Sequence, residues 1–344
     1  MTTDLATLVA RCAKRRERLL DALGDGVLIL PTAPETLRNG DVQHSFRAAS
    51  DLAYLAAFPE PDATLVLWRD RKRTAHCVLF VRPRDQEREI WDGRRFGVAG
   101  AKRTFRVDEA RSSHQFWKDL PALLREHERV FVRLGRDPDF DRRLFAVFGS
   151  LARERARSRA GLPAHPTLVD PSPAIAELRL IKDELEVVAL QRAADLSAAG
   201  HVAAMRAARA GVTEYALQAA LEAEFRRGGS ERNGYDSIVA SGPNACILHY
   251  HENARQVRRG DLVLIDAGCE IDGYTADITR TWPVDGAFSD AQRAVYDVVL
   301  RAQLAAIRSI RPGVRADRPH DVARRVLCKG LVALGVLRGR TARL

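Results

Sequence analysis

The sequence predicts an α/β domain followed by a second domain that combines long helices with a β-hairpin. Over residues 1–165, apolar strand-like runs alternate with segments of helical spacing, which is typical of α/β domains. The stretch 163–173 is rich in proline and lacks periodicity, so it marks a boundary. Beyond it, helical segments precede the run 261–284, in which two β-rich stretches flank a short turn. We therefore expect one domain at 1–165 and a second at 166–344.

Elements of the first domain are predicted from short apolar runs bounded by turn residues. The runs at 63–68 and 76–81 flank the charged segment 69–73, which favours a hairpin. Further strands are expected at 26–33 and 129–134, and helices at 115–127 and 140–157.

Composition excludes several classes of function. Hydrophobic residues make up 46% of the 344 residues, which is enough for a buried core. The formal charge is +10, but the basic residues are spread along the chain without an aromatic-basic tract, so we expect no nucleic-acid binding. No apolar run approaches the length of about 18 residues that a membrane span requires. The amphipathic N-terminus indicates a helix, with the basic cluster at 14–18 on its solvated face.

The cysteine pattern indicates a reducing compartment. Five cysteines are scattered along the chain without a paired CxxC spacing, which argues against a disulfide framework and against a zinc-thiolate site. We therefore expect a cytoplasmic protein.

Helix signals dominate the second domain on both sides of the run 261–284. A long helix is expected over 181–210, and a second begins after Thr213 and ends at Gly228. A strand is expected at 237–242. Ser289 and Gln292 form a predicted capping box that opens a helix to about residue 310, and the last helix is expected over 318–335.

The hairpin at 261–284 places two acidic residues on one face. Asp272–Gly273 is a strong signal for a two-residue turn, and this turn sets Asp266 opposite Thr279. Asp277 lies two residues from Thr279, and side chains alternate with period two, so both carboxylates are expected on the same face. Their backbones would be roughly 7–8 Å apart on a diagonal.

Two carboxylates that share one face repel each other unless a cation lies between them. Carboxylate oxygen is a suitable ligand for Mn²⁺, Mg²⁺ or Ca²⁺, and acceptable for Zn²⁺. The alternative is that Asp266 begins a turn with Gly268 and that Asp277 is a solvated strand residue. Spacing alone leaves both interpretations open.

Long segments of the chain resemble Xaa-Pro aminopeptidase, also called aminopeptidase P, a metallopeptidase family with the pita-bread fold. The block YDSIVASGPNACILHYHEN and the block from GDLVLIDAG to ADITRT resemble its catalytic domain most closely. One departure is Ala56–Ala57, where the family often has Thr-Gly. The resemblance is carried by residues 46–67, 89–97, 177–201, 235–253 and 260–300.

The resemblance implies a metal-dependent peptidase that removes the N-terminal residue from peptides with proline second. The family uses two divalent metal ions, usually Mn²⁺, and Asp266 and Asp277 match its first two metal-binding carboxylates. His249 matches a catalytic histidine near the scissile bond, whereas the neighbouring His251 has no matched role. Tyr235 and Trp91 match positions that line or approach the substrate pocket. Assembly as a homo-oligomer is a further implication.

The family pattern also requires a histidine and two glutamates that follow the segment matched by residues 330–337. The sequence ends at residue 344 without them, so we expect an incomplete α+β pita-bread domain, a ribbon with an unpaired edge, and impaired hydrolysis. The alternatives are an Xaa-Pro dipeptidase, a catalytically dead pita-bread binding protein and, more remotely, an enzyme for a creatine-type substrate on the same fold.

Overall fold

The computed structural model describes residues 4–157 and 165–339. Contacts divide the chain into two compact units, Met1–Val187 and Val188–Leu344. The domain boundary predicted from the sequence lies earlier, after residue 165. The first two residues of the proline-rich stretch lie outside the described residues. None of the helices in the described part of the chain is long and apolar enough to cross a membrane.

The first unit is built on a mixed sheet with helices on both faces, as the α/β prediction requires. Its strands are β1 (Val27–Pro31), β2 (Leu37–Asn39), β3 (Val42–Gln43), β4 (Thr64–Arg69), β5 (Ala75–Val81), β6 (Glu109–Ser112), β7 (Arg129–Phe131) and β8 (Thr167–Val169). Its helices are α1 (Leu5–Leu23), α2 (Ser50–Ala56), α3 (Gln86–Asp92), α4 (Gly97–Thr104), α5 (Phe116–Leu124), α6 (Pro138–Arg157) and α7 (Ser172–Leu180).

Six of these strands form one sheet in the order β6-β5-β4-β1-β7-β8. Strand β4 pairs antiparallel with β1 and β5, whereas β1, β7 and β8 run parallel, as do β5 and β6. Alternate residues of β1 enter two separate cores. Leu28 and Leu30 pack in the core that includes α1 and α2, and Val27 and Ile29 pack in the core that includes α5 and α6. Burial on both faces explains the continuous apolar runs that predicted these strands.

The basic cluster of α1 corrects one expectation. Arg15 and Arg16 are only 6% and 5% exposed, so that part of the cluster is not a solvated face. Arg15 donates to the carbonyl oxygen of Tyr54 at 3.2 Å, and Arg16 donates to that of Leu55 at 2.8 Å. Their guanidinium groups satisfy carbonyl groups at the end of α2, and this long-range partnership has no signal in the local sequence.

The second unit combines helices with short antiparallel sheets. Its helices are α8 (Glu184–Ala207), which begins before the division at Val187, α9 (Glu214–Arg227), α10 (Asp290–Ser309) and α11 (Arg318–Ala333). Its strands are β9 (Arg232–Asn233), β10 (Ile238–Ser241), β11 (Leu262–Ala267), β12 (Cys269–Ile271), β13 (Tyr274–Thr275) and β14 (Ile278–Pro283). The predicted capping box at Ser289 and Gln292 is confirmed.

Strand β11 is the centre of a three-stranded sheet in the order β10-β11-β14. Val263, Ile265 and Ala267 point into a core that also contains Leu217 and Phe225 of α9. The intervening residues of β11 are half-buried on the opposite face. Among the described residues, β14 has no partner strand on its outer edge. This half-covered face is the one on which the acidic residues lie.

Candidate metal centre

The turn of the ribbon has the geometry that Asp272–Gly273 predicts. Asp272 has φ 51° and Gly273 has φ 82°, and two positive φ values are characteristic of a type I′ turn. Ile271 pairs with Tyr274 on either side of it. The two-residue loop is therefore confirmed.

The same register continues to the acidic residues. Asp266 of β11 pairs with Thr279 of β14, as the sequence predicts, and Asp277 lies two residues before Thr279. Asp277 itself falls between β13 and β14, where the ladder is interrupted. The ribbon therefore carries one carboxylate on each arm.

Gly268 makes the interruption possible. By continuation of the register it lies opposite Asp277, between β11 and β12. A Cβ atom at Gly268 would lie 1.9 Å from the carbonyl oxygen of Ala276, far inside van der Waals contact. Its own carbonyl oxygen accepts a hydrogen bond of 2.8 Å from the backbone N–H of Gly234. Only glycine allows the two arms to approach this closely beside the acidic pair.

Tyr235 connects the two carboxylates. Its hydroxyl group donates a hydrogen bond to Asp266 Oδ1 and lies 3.2 Å from Asp277 Oδ1. Both carboxylates therefore reach the same point, and the predicted common face is confirmed. Burial, followed by the hydrogen bond and negative charge of Asp266, raises the pKa of Tyr235, so the phenol keeps its proton.

The donor set fits a hard cation. Ionised carboxylates only accept hydrogen bonds, and the hydroxyl of Tyr235 has one hydrogen to give, so it cannot satisfy both acids at once. Asp266 is half-buried and Asp277 is exposed, which leaves the oxygens open to a ligand from solvent. Within residues 4–157 and 165–339, no group of three or more His, Cys, Asp or Glu side chains is arranged to hold a metal ion.

His249 lies on the connection between β10 and β11, which we call the His249 loop (residues 242–256). Its imidazole is exposed, and its ring centroid lies 6.4 Å from that of His251. The intervening Tyr250 is buried against Ile238 and Ala240 of β10. Because Ile238 is the ladder partner of Asp266, the loop packs on the face of the sheet that carries the acidic pair.

Trp91 lies on α3 of the first unit, and 81% of its surface is exposed. The preceding residue, Ile90, is equally exposed. A substrate contact for Trp91 stays a prediction.

Sequence reasoning missed a buried polar network beneath the His249 loop. Glu214, the first residue of α9, is fully buried and accepts hydrogen bonds from three segments of the chain. Asn253, with φ 47°, donates to the carbonyl oxygen of Ser237 and accepts from the backbone N–H of Val239. The available signals were a glutamate after the Thr213 cap and an asparagine at the end of the HYHEN segment, and neither indicates burial.

Comparisons with known proteins agree with both units. Residues 12–131 match the N-terminal domain of aminopeptidase P, and residues 188–340 match metallopeptidase family M24. The chain is 40% identical over 327 residues to the Xaa-Pro aminopeptidase of Escherichia coli K12, which covers 95% of this chain and 74% of that relative. The Xaa-Pro aminopeptidase of Haemophilus influenzae is 38% identical, with 95% and 73% covered. The structure of Pseudomonas aeruginosa aminopeptidase PepP matches with a TM-score of 0.93 and 44% identity, over 98% of this chain and 75% of that one.

The match to metallopeptidase family M24 and the structural agreement with aminopeptidase P define the class of the protein as a pita-bread metallopeptidase. The chain belongs to the aminopeptidase P family within metallopeptidase family M24. By family it is therefore an Xaa-Pro aminopeptidase, a metallo-exopeptidase that depends on divalent metal ions. The dipeptidase alternative is not favoured, because both of these relatives are named Xaa-Pro aminopeptidases.

Proposed function

We propose that Asp266 and Asp277 are the metal-binding carboxylates through which this chain acts on peptides with an N-terminal Xaa-Pro sequence. The observation that carries the proposal is their convergence on the hydroxyl of Tyr235 from opposite arms of one ribbon. Two anionic oxygens at one point, half open to solvent, favour a divalent cation over any neutral partner. Both relatives named above are Xaa-Pro aminopeptidases, which supports the substrate class.

Mn²⁺ is the metal we propose, because carboxylate oxygens suit Mn²⁺, Mg²⁺ and Ca²⁺ and the family resemblance favours Mn²⁺ among them. A solved aminopeptidase P from Escherichia coli is zinc-substituted and in complex with product, so Zn²⁺ is the natural competitor in a binding test. When bound at such carboxylates, a divalent cation polarises a carbonyl group and lowers the pKa of water. Asp266 and Asp277 would hold the cation. The hydroxyl of Tyr235 would then donate a hydrogen bond to one of the two carboxylates or to neither.

His249 is the residue we propose to act on the peptide directly. Its imidazole is exposed on a loop whose base is buried on the face of the acidic pair. There it would donate a hydrogen bond to the carbonyl oxygen of the residue before proline, where negative charge develops. An Xaa-Pro amide has no N–H, so the groups that distinguish this bond are its carbonyl group and the proline ring. Contacts of Tyr235 and Trp91 with substrate are further parts of the proposal.

A cytoplasmic location and homo-oligomeric assembly complete the proposal. All five cysteines are free, and Cys12, Cys77 and Cys269 are buried, which is compatible with a reducing compartment. Burial raises the pKa of Cys12 and Cys77, so both thiols stay protonated and unreactive. Assembly into oligomers rests on the family resemblance alone.

The test is Mn²⁺-dependent release of the first residue from an Xaa-Pro tripeptide, with an Xaa-Pro dipeptide as the matched alternative substrate. We expect tripeptide turnover that depends on Mn²⁺ and vanishes in Asp277→Ala. Preference for the dipeptide would indicate a dipeptidase. Unchanged turnover in Asp277→Ala would contradict the proposed role of the acidic pair. Peptide binding that depends on Asp277 without any turnover would indicate the catalytically dead binding protein.

A further inference from the structure

The His249 loop combines an exposed tip with a buried base. Leu248 is 90% exposed, next to the exposed His249, yet Tyr250 is 6% exposed. Regular ladder pairing resumes only at β11. Backbone pairing joins its far end to the start of α9, where the N–H of Glu214 donates to the carbonyl oxygen of Arg255 at 3.0 Å and Thr213 forms a bridge with Gln256. Side-chain contacts hold the rest of the loop, and several of them converge on one residue.

That residue is Glu214, whose carboxylate is fully buried at the start of α9. Its Oε1 atom accepts from the backbone N–H and the hydroxyl of Ser241, each at 2.7 Å. Its Oε2 atom accepts from the hydroxyl of Tyr250 at 2.8 Å and from the backbone N–H of Arg255 at 2.9 Å. The amide of Asn244 lies 3.4 Å from Oε1. One carboxylate thus binds the residue before the loop, its middle and its far end.

These bonds fix the loop relative to the acidic pair. Tyr250 packs on Ile238, the ladder partner of Asp266, and its hydroxyl is bound by Glu214. Burial and the hydrogen bond to Glu214 raise the pKa of Tyr250, which therefore remains a donor. Since His249 precedes Tyr250 directly, the placement of Tyr250 restricts where the imidazole can lie.

We propose that Glu214 is a positioning residue, which holds the His249 loop over the sheet face that carries Asp266 and Asp277. Its relevance to catalysis rests on the function proposed for His249. The position of the loop itself is a property of this chain, with or without bound metal.

The chemistry of the donors around Glu214 makes the claim specific for a carboxylate. Each oxygen of Glu214 receives one backbone N–H, from Ser241 at one oxygen and from Arg255 at the other. A hydroxyl can rotate to become an acceptor, but a backbone N–H cannot. In Glu214→Gln, either orientation of the amide therefore places its NH₂ group against a backbone donor. Leaving such buried donors unsatisfied is costly.

Glu222, two turns further along α9, is the matched control. Its Oε1 atom accepts from the side chains of Gln218, Asn233 and Ser237 at 2.9, 2.7 and 2.8 Å. All of these contacts are at one oxygen and come from side chains. A glutamine at position 222 can therefore point its carbonyl oxygen at all three, and Glu222→Gln should preserve the network.

Amide hydrogen exchange measures the loop directly. In Glu214→Gln we expect the amide that faces the NH₂ group, that of Ser241 or that of Arg255, to exchange about tenfold faster or more, while those of Val263 and Ile265 in the core stay protected. Glu222→Gln should exchange like the wild type. Tyr250→Phe removes one of the hydrogen bonds to Glu214 and should accelerate exchange to an intermediate extent. This variant also tests the proposal if Glu214→Gln fails to fold. Wild-type exchange at Ser241 and Arg255 in Tyr250→Phe, or in a folded Glu214→Gln, would overturn the proposal.

A second readout separates positioning from simple stabilisation. Bound Mn²⁺ is paramagnetic and should broaden the imidazole resonances of His249 in the wild type and in Glu222→Gln. We expect this broadening to weaken in Tyr250→Phe although Mn²⁺ affinity is unchanged. Equal broadening in Tyr250→Phe would overturn the positioning role. Failure of the wild type to bind Mn²⁺ would count against the proposed metal site alone, because the exchange result does not depend on metal.

Discussion

Asp266 and Asp277 lie on opposite arms of one β-ribbon and point to the same side, where both reach the hydroxyl of Tyr235. Two structural features produce this relationship. The two-residue turn fixes the register of the ribbon, and Gly268 allows the arms to approach where the ladder is interrupted. The acidic pair is therefore a consequence of backbone geometry, and single substitutions can disturb it without touching a carboxylate.

Gly268→Ala should destabilise the ribbon, because its Cβ would lie 1.9 Å from the carbonyl oxygen of Ala276, a backbone atom that cannot rotate away. Overpacking of this kind costs about 1–3 kcal/mol or more. We expect a thermal midpoint lowered by several degrees. Gly149→Ala in α6 is the control, since the nearest atom to its Cβ, on the flexible side chain of Arg153, is 3.7 Å away. A thermal midpoint for Gly268→Ala as high as that of this control would show that glycine is not required at position 268, where the ladder is interrupted.

Ala57→Gly should stabilise the first unit. Ala57 ends α2 with φ 54°, a left-handed conformation that glycine adopts without strain. A Cβ in this region costs about 1–2 kcal/mol. Glycine has greater conformational freedom in the unfolded chain, and this offsets part of that gain. We therefore expect the free energy of unfolding, measured with urea, to rise by up to about 1 kcal/mol. Ala122→Gly, at an exposed helical position in α5, should instead lose about 0.5–1 kcal/mol. A lower free energy of unfolding in both variants would show that the backbone at Ala57 is not strained.

His201 should make the second unit less stable in mild acid. It is 2% exposed on α8, and burial lowers its pKa below the usual value near 6.5. In the window between the lowered folded pKa and about 6.5, the unfolded chain binds a proton that the folded chain does not, so the free energy of unfolding falls as pH falls.

Urea unfolding at a series of pH values measures this effect. In His201→Gln we expect a smaller loss of stability between neutral pH and the acid side of this window. The variant His320→Gln, which changes an exposed histidine, should follow the wild type. An identical acid-induced loss in the wild type and in His201→Gln would show that His201 does not titrate in this way.

The sequence predicted the features that depend on local patterns. Asp272–Gly273 gave the turn, and the period of two along a strand then placed Asp266 and Asp277 on one face without further information. The capping box at Ser289 is equally local, because both of its partners lie within one helical turn.

Features that depend on contacts between distant segments were not predictable from local patterns. Arg15 is buried because carbonyl groups of α2 and the carboxylate of Asp183 lie beside it, far along the chain. Glu214 is buried because the His249 loop folds over the start of α9. In both cases the sequence shows only a charged residue on a helix, which is usually exposed.

Titration calorimetry with Mn²⁺ measures whether Asp266 and Asp277 together bind one divalent cation. We expect saturable binding by the wild type and at least about a tenfold loss of affinity in both Asp266→Ala and Asp277→Ala, because each variant removes one of the two anionic ligands. Asp290→Asn, which neutralises an exposed acid on α10, should bind like the wild type. Binding that survives in either alanine variant, or that is lost equally in Asp290→Asn, would contradict a metal site at the ribbon.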